Sequence, residues 1–217
     1  MEIIIKDITK KYENYIFKDF NLSFKSGKIT ALMGMSGKGK TTLFNIICGI
    51  TKPDNGSIFF SEIPKFSAVF QENRLLKNFT ALENITALGI QKEKALNALE
   101  ICGCSDFYNV KAKNLSGGMA RRCAIARAIA YEGNIYIFDE PFKGIDISTY
   151  DRISLRIKQY LQNKTCIFIT HNIKEAVMFA HNIVVLGGDT ADVVFSAEDI
   201  KNYENIEEKI KCVFSQM

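Results

Sequence analysis

The chain has 217 residues, 47% of them hydrophobic, and 28 Lys and Arg against 24 Asp and Glu. That is enough to bury one full core with a subsidiary lobe, and the net charge of +4, with lysines spread rather than blocked into a basic tail, gives no nucleic-acid footprint. The start, Ile3 to Ile5, is too short and too soon charged for a signal peptide or anchor, and no apolar stretch approaches the roughly 20 residues of a membrane span.

The predicted elements begin with two alternating segments, Glu2 to Ile8 and Phe20 to Phe24, read as an antiparallel layer. From Ile29 strand and helix patterns take turns, as a parallel sheet requires. Lys28 to Met33 reads as a strand and Thr42 to Ile47 as an apolar-faced helix. Between them runs Gly34-Met35-Ser36-Gly37-Lys38-Gly39-Lys40-Thr41. Strand, glycine-rich loop and helix in that order describe a phosphate-binding loop. Glycines let successive N–H groups point inward at a β-phosphate, and the next helix starts there with its positive dipole end. Lys40 reaches the β- and γ-phosphates, the Thr41 hydroxyl ligates Mg²⁺, and Thr42 completes the nucleotide-binding run.

Phe66 to Phe70 is strand-like and ends at Gln71. From there to Ser116 no strong strand occurs. Ala81 to Leu88 and Glu93 to Ile101 carry helical periodicity, and so does Met119 to Tyr131, where Ala124, Ile125, Ala128 and Ile129 form an apolar face; together they predict a helical lobe over about 72–131. The six cysteines lie mostly in apolar stretches with no Cys-x-x-Cys pair, which predicts reduced packing thiols in a cytosolic protein, and Cys102-Gly103-Cys104 reads as packing and a turn. Ser116-Gly117-Gly118 opens the third helix. A hydroxyl, two glycine N–H groups and a helix N-terminus form a second γ-phosphate site, although the same residues also make an ordinary N-cap.

Ile135 to Phe138 has the pattern of a buried parallel strand whose carboxyl end opens on a ligand crevice, and it ends in Asp139-Glu140. Asp139 is placed to hold the Mg²⁺ shell and Glu140 to take a proton from the attacking water. A helix from near Asp146 to Gln162 follows, then a strand from Thr165 to Thr170 leading to His171, and a helix from Ile173 to Ala180. Strands are predicted around Ile183 to Leu186 and Val193 to Phe195, and a terminal helix has Tyr203, Ile206, Ile210 and Val213 at helical spacing. The whole reads as one α/β domain over 1–217: a P-loop NTPase core with a parallel sheet, an N-terminal antiparallel β layer and an inserted helical lobe.

With Gly34 to Thr41, Leu115-Ser116-Gly117-Gly118-Met119 and Ile135 to Glu140 in that order, the chain resembles the ATP-binding subunit of ABC transporters over nearly its whole length. The resemblance implies ATP and Mg²⁺ as cofactors and adds roles. Tyr12, in Lys10-Lys11-Tyr12, stacks on adenine; Gln71 senses Mg²⁺ and water and links the site to the membrane subunit; His171 contacts the γ-phosphate beside Glu140. Asp146 falls in the loop that crosses between subunits, and also reads as an N-cap. Two copies would face head to tail, so that Lys40 of one and Ser116 of the other close on the same nucleotide. The implied setting is the inner face of the cell membrane, with separate permease subunits and, indirectly, an extracytoplasmic solute-binding protein.

Val69 to Leu76, Thr80 to Ile85, Met119 and Asp139 to Gly144 look like the nitrate, sulfonate and taurine importer branch. An ATPase of an exporter or lipoprotein-release system shares the same chemistry. Ribosome-acting relatives usually hold two copies of these motifs and DNA-repair relatives a long coiled coil, neither of which is present, and a phosphate-loop kinase would leave Ser116 to Gly118 and His171 idle. Met119 and Lys143 depart from the glutamine and serine common in the family, and His181 reads as surface or structural. Behind Gln71, Leu82 is expected in the core, and Leu75 and Phe79 on a groove for a permease helix.

Overall fold

The computed structural model describes residues 1–200 and 203–216. Its strands are β1 (Ile3–Lys11), β2 (Tyr15–Phe24), β3 (Ile29–Gly34), β4 (Asn55–Phe60), β5 (Phe66–Val69), β6 (Ile135–Asp139), β7 (Thr165–Ile169), β8 (Asn182–Gly187) and β9 (Asp192–Ala197). The helices are α1 (Lys40–Ile47), α2 (Glu83–Thr86), α3 (Lys92–Ile101), α4 (Gly117–Tyr131), α5 (Ile147–Tyr160), α6 (Ile173–Phe179) and α7 (Tyr203–Ser215).

Two sheets result. β3, β6, β7 and β8 are buried along their full length and form the middle of a sheet ordered β5-β6-β7-β3-β8-β9. Near-continuous apolar runs suit strands covered on both faces. Side chains alternate between those faces: Ile135, Ile137, Ile167 and Ile169 pack with α1 and the antiparallel layer, while Tyr136, Phe138, Cys166 and Phe168 pack with α3, α4 and α5. A third cluster joins Ala31, Met33, Ile183 and Val185 to α6 and α7, where Ile206, Ile210 and Val213 take the expected inward positions. The Tyr203 side chain lies outside the described residues.

The antiparallel layer has three strands, β2-β1-β4, rather than the two expected. β4 pairs with β1 from Ile3↔Phe60 to Thr9↔Asn55. Its Gly56 adopts φ 88° where a Cβ would stand 2.4 Å from the Asp7 carbonyl oxygen. β9 is antiparallel to β8, so the large sheet is parallel except at one edge.

Within the helical group α2 is a single turn, shorter than the periodicity from Ala81 to Leu88 predicts: past Ala87 the N–H groups of Leu88 and Gly89 bond three residues back, to Ile85 and Thr86, and Gly89 turns the chain away at φ 77°. Leu82 is in the core as expected. Leu75 is half-buried against the same cluster, and Phe79 is 41% exposed. The turn behind them is stapled by buried Asn84: its Oδ1 accepts from Leu76 N–H at 2.7 Å, and its Nδ2 donates to the carbonyls of Leu76, Phe79 and Thr80. Asn84→Ala strands these main-chain groups and should cost about 2 kcal/mol or more. The urea midpoint measures this, and an unchanged midpoint would show that the turn holds itself.

Candidate functional site

The carboxyl ends of β3, β5, β6 and β7 converge on a cavity of about 260 Å³. It is lined by Gly34, Ser36, Gly37, Gly39, Lys40, Thr41 and Thr42, by Gln71 after β5, by Asp139 and Glu140 at the end of β6, and by His171 after β7. Two glycines there cannot be replaced without displacement. A Cβ on Gly34, at φ 145°, would meet the Leu186 carbonyl oxygen at 2.5 Å; one on Gly39, at φ 75°, would meet Ile16 and Phe17 at 2.8 Å. No side chain caps α1, so the orphan N–H groups of its first turn remain for an anion. Lys40 Nζ donates to the carbonyls of Gly34 and Met35, both at 2.8 Å. Burial lowers its pKa, opposed by the charges of Asp139 and Glu140.

Thr41 Oγ1 donates to Asp139 Oδ2 at 3.3 Å. Asp139 is 3% exposed, and burial holds its carboxyl above the ordinary value despite the Thr41 bond and the nearby Arg121 and Lys40. Glu140 sits at φ 47°, in the left-handed region, with its N–H donated to the Ile169 carbonyl. Such a conformation in a non-glycine residue is strained by about 1–3 kcal/mol and clusters at functional sites. Its Oε1 lies 2.9 Å from His171 Nδ1. Its Oε2 is buried and ion-paired with Lys143 Nζ at 3.1 Å. Burial acts to raise the Glu140 carboxyl, but Lys143 and His171 together hold it below its ordinary value.

The remaining predicted residues lie outside this cavity. Ser116 caps α4, its Oγ accepting from Met119 N–H at 3.2 Å. Gly117 faces open space, while a Cβ on Gly118 would meet the Gly144 carbonyl oxygen at 2.8 Å, so the start of α4 abuts the loop after Glu140. Asp146 caps α5, accepting from Thr149 N–H at 2.9 Å and the Ser148 hydroxyl at 2.7 Å, and these bonds hold its carboxyl well below the usual range. Tyr12 is 60% exposed with Lys10 Nζ 5.3 Å over its ring. It is Tyr15 that joins Ser36, Gly37 and Lys38 around a second hollow, of about 170 Å³. Met35 is exposed, and Lys38 Nζ donates to the Gly188 carbonyl at 2.6 Å. Met119 packs on the core cluster under α4, and His181 is structural: its Nδ1 accepts from Ile29 N–H at 3.0 Å.

Arg121 was not anticipated. This buried cation of α4 reaches the carbonyls of Asp139 and Glu140. The signal available was its position one helical turn before Ala124 and Ile125, a charge on an otherwise apolar face.

A glycine-rich loop at the carboxyl edge of a largely parallel sheet, opposite a buried acidic strand end, defines a nucleoside-triphosphate-binding α/β protein. The chain belongs to the ABC transporter family, whose model matches residues 17–143, as an ATPase cassette. It is 32% identical over 221 aligned positions to the spermidine/putrescine import ATP-binding protein PotA of Clostridium acetobutylicum, covering 92% of this chain and 62% of that protein, so it spans less than two thirds of that relative. It is 30% identical to the probable sulfate/thiosulfate import ATP-binding protein CysA of Chlorella vulgaris, covering 94% of each. Among solved structures, the dimeric post-hydrolysis state of the ATP-binding cassette MJ0796 bound to ADP and Pi matches with a TM-score of 0.82 at 29% identity, over 92% of this chain and 100% of that one. Among the described residues no helix is long and apolar enough to cross a membrane.

The buried Asp139 carboxylate makes a prediction about stability. With the folded-state pKa raised, folding is weakened as pH rises from the ordinary carboxyl range through the folded value, and the penalty is complete above it. Asp139→Asn should therefore melt higher than the parent near neutral pH without nucleotide, with the difference closing as pH falls and the parent carboxyl protonates. Thermal melts across that range check it; a lower melting point near neutrality would show that the charge is compensated.

Proposed function

We propose that the chain is the ATP-hydrolysing subunit of an importer: one cassette over 1–217, with its helical lobe at about 72–131, working as a homodimer on a separate membrane permease. The observation that carries this reading is the cavity that gathers an uncapped helix start, Lys40, Thr41, Gln71, Asp139, Glu140 and His171 from four separate stretches of chain.

In this reading the loop N–H groups from Gly34 to Thr42 and the Lys40 ammonium bind the β- and γ-phosphates. Mg²⁺ fits the donors present: the Thr41 hydroxyl and the Asp139 carboxylate face each other, and Gln71 lines the same cavity. These are few and hard oxygen ligands, as suits an ion held largely by phosphates and water. Bound there, the ion supplies charge neutralisation on the transferring phosphoryl group. Glu140 accepts the proton of the attacking water, while His171 holds its Oε1 and reaches the γ-phosphate. Tyr12 takes the adenine face.

Ser116, Gly117 and Gly118 lie off the cavity of their own subunit, which supports their use on the nucleotide of a second copy, with Asp146 near the crossing. The dimeric form of the matched cassette supports the same arrangement. The names of the relatives support import, and through it a permease, an extracytoplasmic solute-binding protein and a position on the inner membrane face. The narrower likeness to nitrate, sulfonate and taurine importers rests on Val69 to Leu76, Thr80 to Ile85, Met119 and Asp139 to Gly144. For the permease, a mostly apolar groove of about 460 Å³, lined by Ile50, Phe66, Phe70, Leu88 and Tyr131 among others, suits a short helix better than Leu75 and Phe79 do.

Glu140→Gln should keep ATP binding while turnover falls roughly 10²–10⁴-fold, the usual worth of a general base. Near-normal steady-state hydrolysis would remove Glu140 from that role. The same variant should dimerise on adding Mg-ATP, and light scattering showing only monomer at saturation would count against a self-sufficient dimer. Lys40→Ala should lose nucleotide affinity itself.

Leu88→Ser, at a half-exposed groove position, should leave basal hydrolysis intact and abolish uptake in vesicles reconstituted with the permease. Unchanged uptake would move the docking site elsewhere.

A further inference from the structure

α4 buries a cation among carbonyl oxygens. Arg121 is 3% exposed. Its Nε donates to the Pro141 carbonyl at 3.2 Å. Nη1 donates to the carbonyls of Phe70 and Gln71 and, at 3.2 Å, to Asn73 Oδ1. Nη2 donates to the carbonyls of Asp139 and Glu140. A buried guanidinium is tolerated when its donors are met, and here burial lowers its pKa while Asp139 and Glu140 favour its charge.

The position of these acceptors matters more than their number. β5 and β6 pair from Phe66↔Ile135 to Val69↔Phe138, where the ladder ends. Beyond it one strand runs on to Gln71 and the other to Glu140, with no strand hydrogen bonds to keep their spacing. Arg121 spans that gap from the side of α4. Arg127, farther along the helix, continues the attachment, donating to the carbonyls of Asn73 at 3.0 Å and Arg74 at 2.7 Å. A contact that served only to seat a helix on a sheet could be apolar at this depth. A planar fork spreads five N–H donors over three nitrogens and so reaches acceptors on two separate strand ends at once, where lysine has three donors on a single nitrogen.

We infer that Arg121 is a positioning residue that locks the Gln71 segment and the Glu140 segment to each other and to α4, so that sensor, base and helical lobe shift together. This rests on the reading of Glu140 as the base.

The test measures hydrolysis, ATP affinity and melting of the full chain with Mg-ATP for Arg121→Lys, alone and combined with Glu140→Gln. The single variant should keep its fold and bind ATP within about threefold of the parent while kcat falls roughly 10²-fold, the scale of a small misplacement at the reacting centre. In the Glu140→Gln background the same change should add less than about a threefold loss, because the base it positions is already gone. Asn73→Ala, which deletes one acceptor at a half-buried site, should lower kcat in the same direction by less. A parental kcat for Arg121→Lys overturns the assignment. So does a full multiplicative loss in the double variant, or a fall in affinity and melting temperature that accounts for the loss of rate. If Arg121→Lys does not fold, Asn73→Ala decides, and a parental kcat there overturns it. Failure of the base reading shows separately, as near-normal turnover of Glu140→Gln alone.

Discussion

Charge held out of water at the carboxyl edge of one sheet is the constraint on which this structure depends. Lys40, Arg121 and Asp139 each carry a desolvation penalty there, visible in pKa values moved toward their neutral forms. Such a penalty is tolerable only where opposite charges and main-chain dipoles converge. Parallel strands supply that convergence, because every one of them delivers its last carbonyls to the same edge and leaves the following residue facing the crevice. The apolar faces of β6 and β7 serve this purpose. Their alternate side chains anchor in two different clusters, one beneath α1 and one beneath α4 and α5, so the edge is braced from both sides.

The same constraint explains where local rules are broken. Glu140 leaves the strand with a left-handed backbone while still pairing with Ile169, a turn that brings its carboxylate back over the edge toward His171. Arg121 lies on the buried face of a helix that otherwise reads as packing. Both departures touch Asp139, which Glu140 follows and to whose carbonyl Arg121 donates.

Much of this was legible because the chemistry is local in sequence. The phosphate loop is one contiguous word between a strand and a helix, and Asp139-Glu140 ends an apolar run whose burial is written in its composition. β4 was not legible because Asn55 to Phe60 pairs with β1 across about fifty residues and is only partly buried. Arg121 escaped because its partners are carbonyls, which no residue type announces. Ser116 and Asp146 show a different limit. Each has the side chain of a helix cap, each is seen capping, and a free oxygen lone pair for a second subunit leaves no further trace in one chain. The shortened α2 shows a turn overriding periodicity, with Leu88 and Gly89 bonded three residues back rather than four.

The close approach of Gly34 to the Leu186 carbonyl has a mechanical meaning. With only a hydrogen atom separating the entrance of the phosphate loop from β8, and Gly39 wedged in the same way against Ile16 and Phe17, the loop is held between β8 at one end and β2 at the other. It behaves as an anvil. The opposing wall is held differently: the Gln71 segment is fastened by side-chain hydrogen bonds from Arg121 rather than by backbone pressed against backbone.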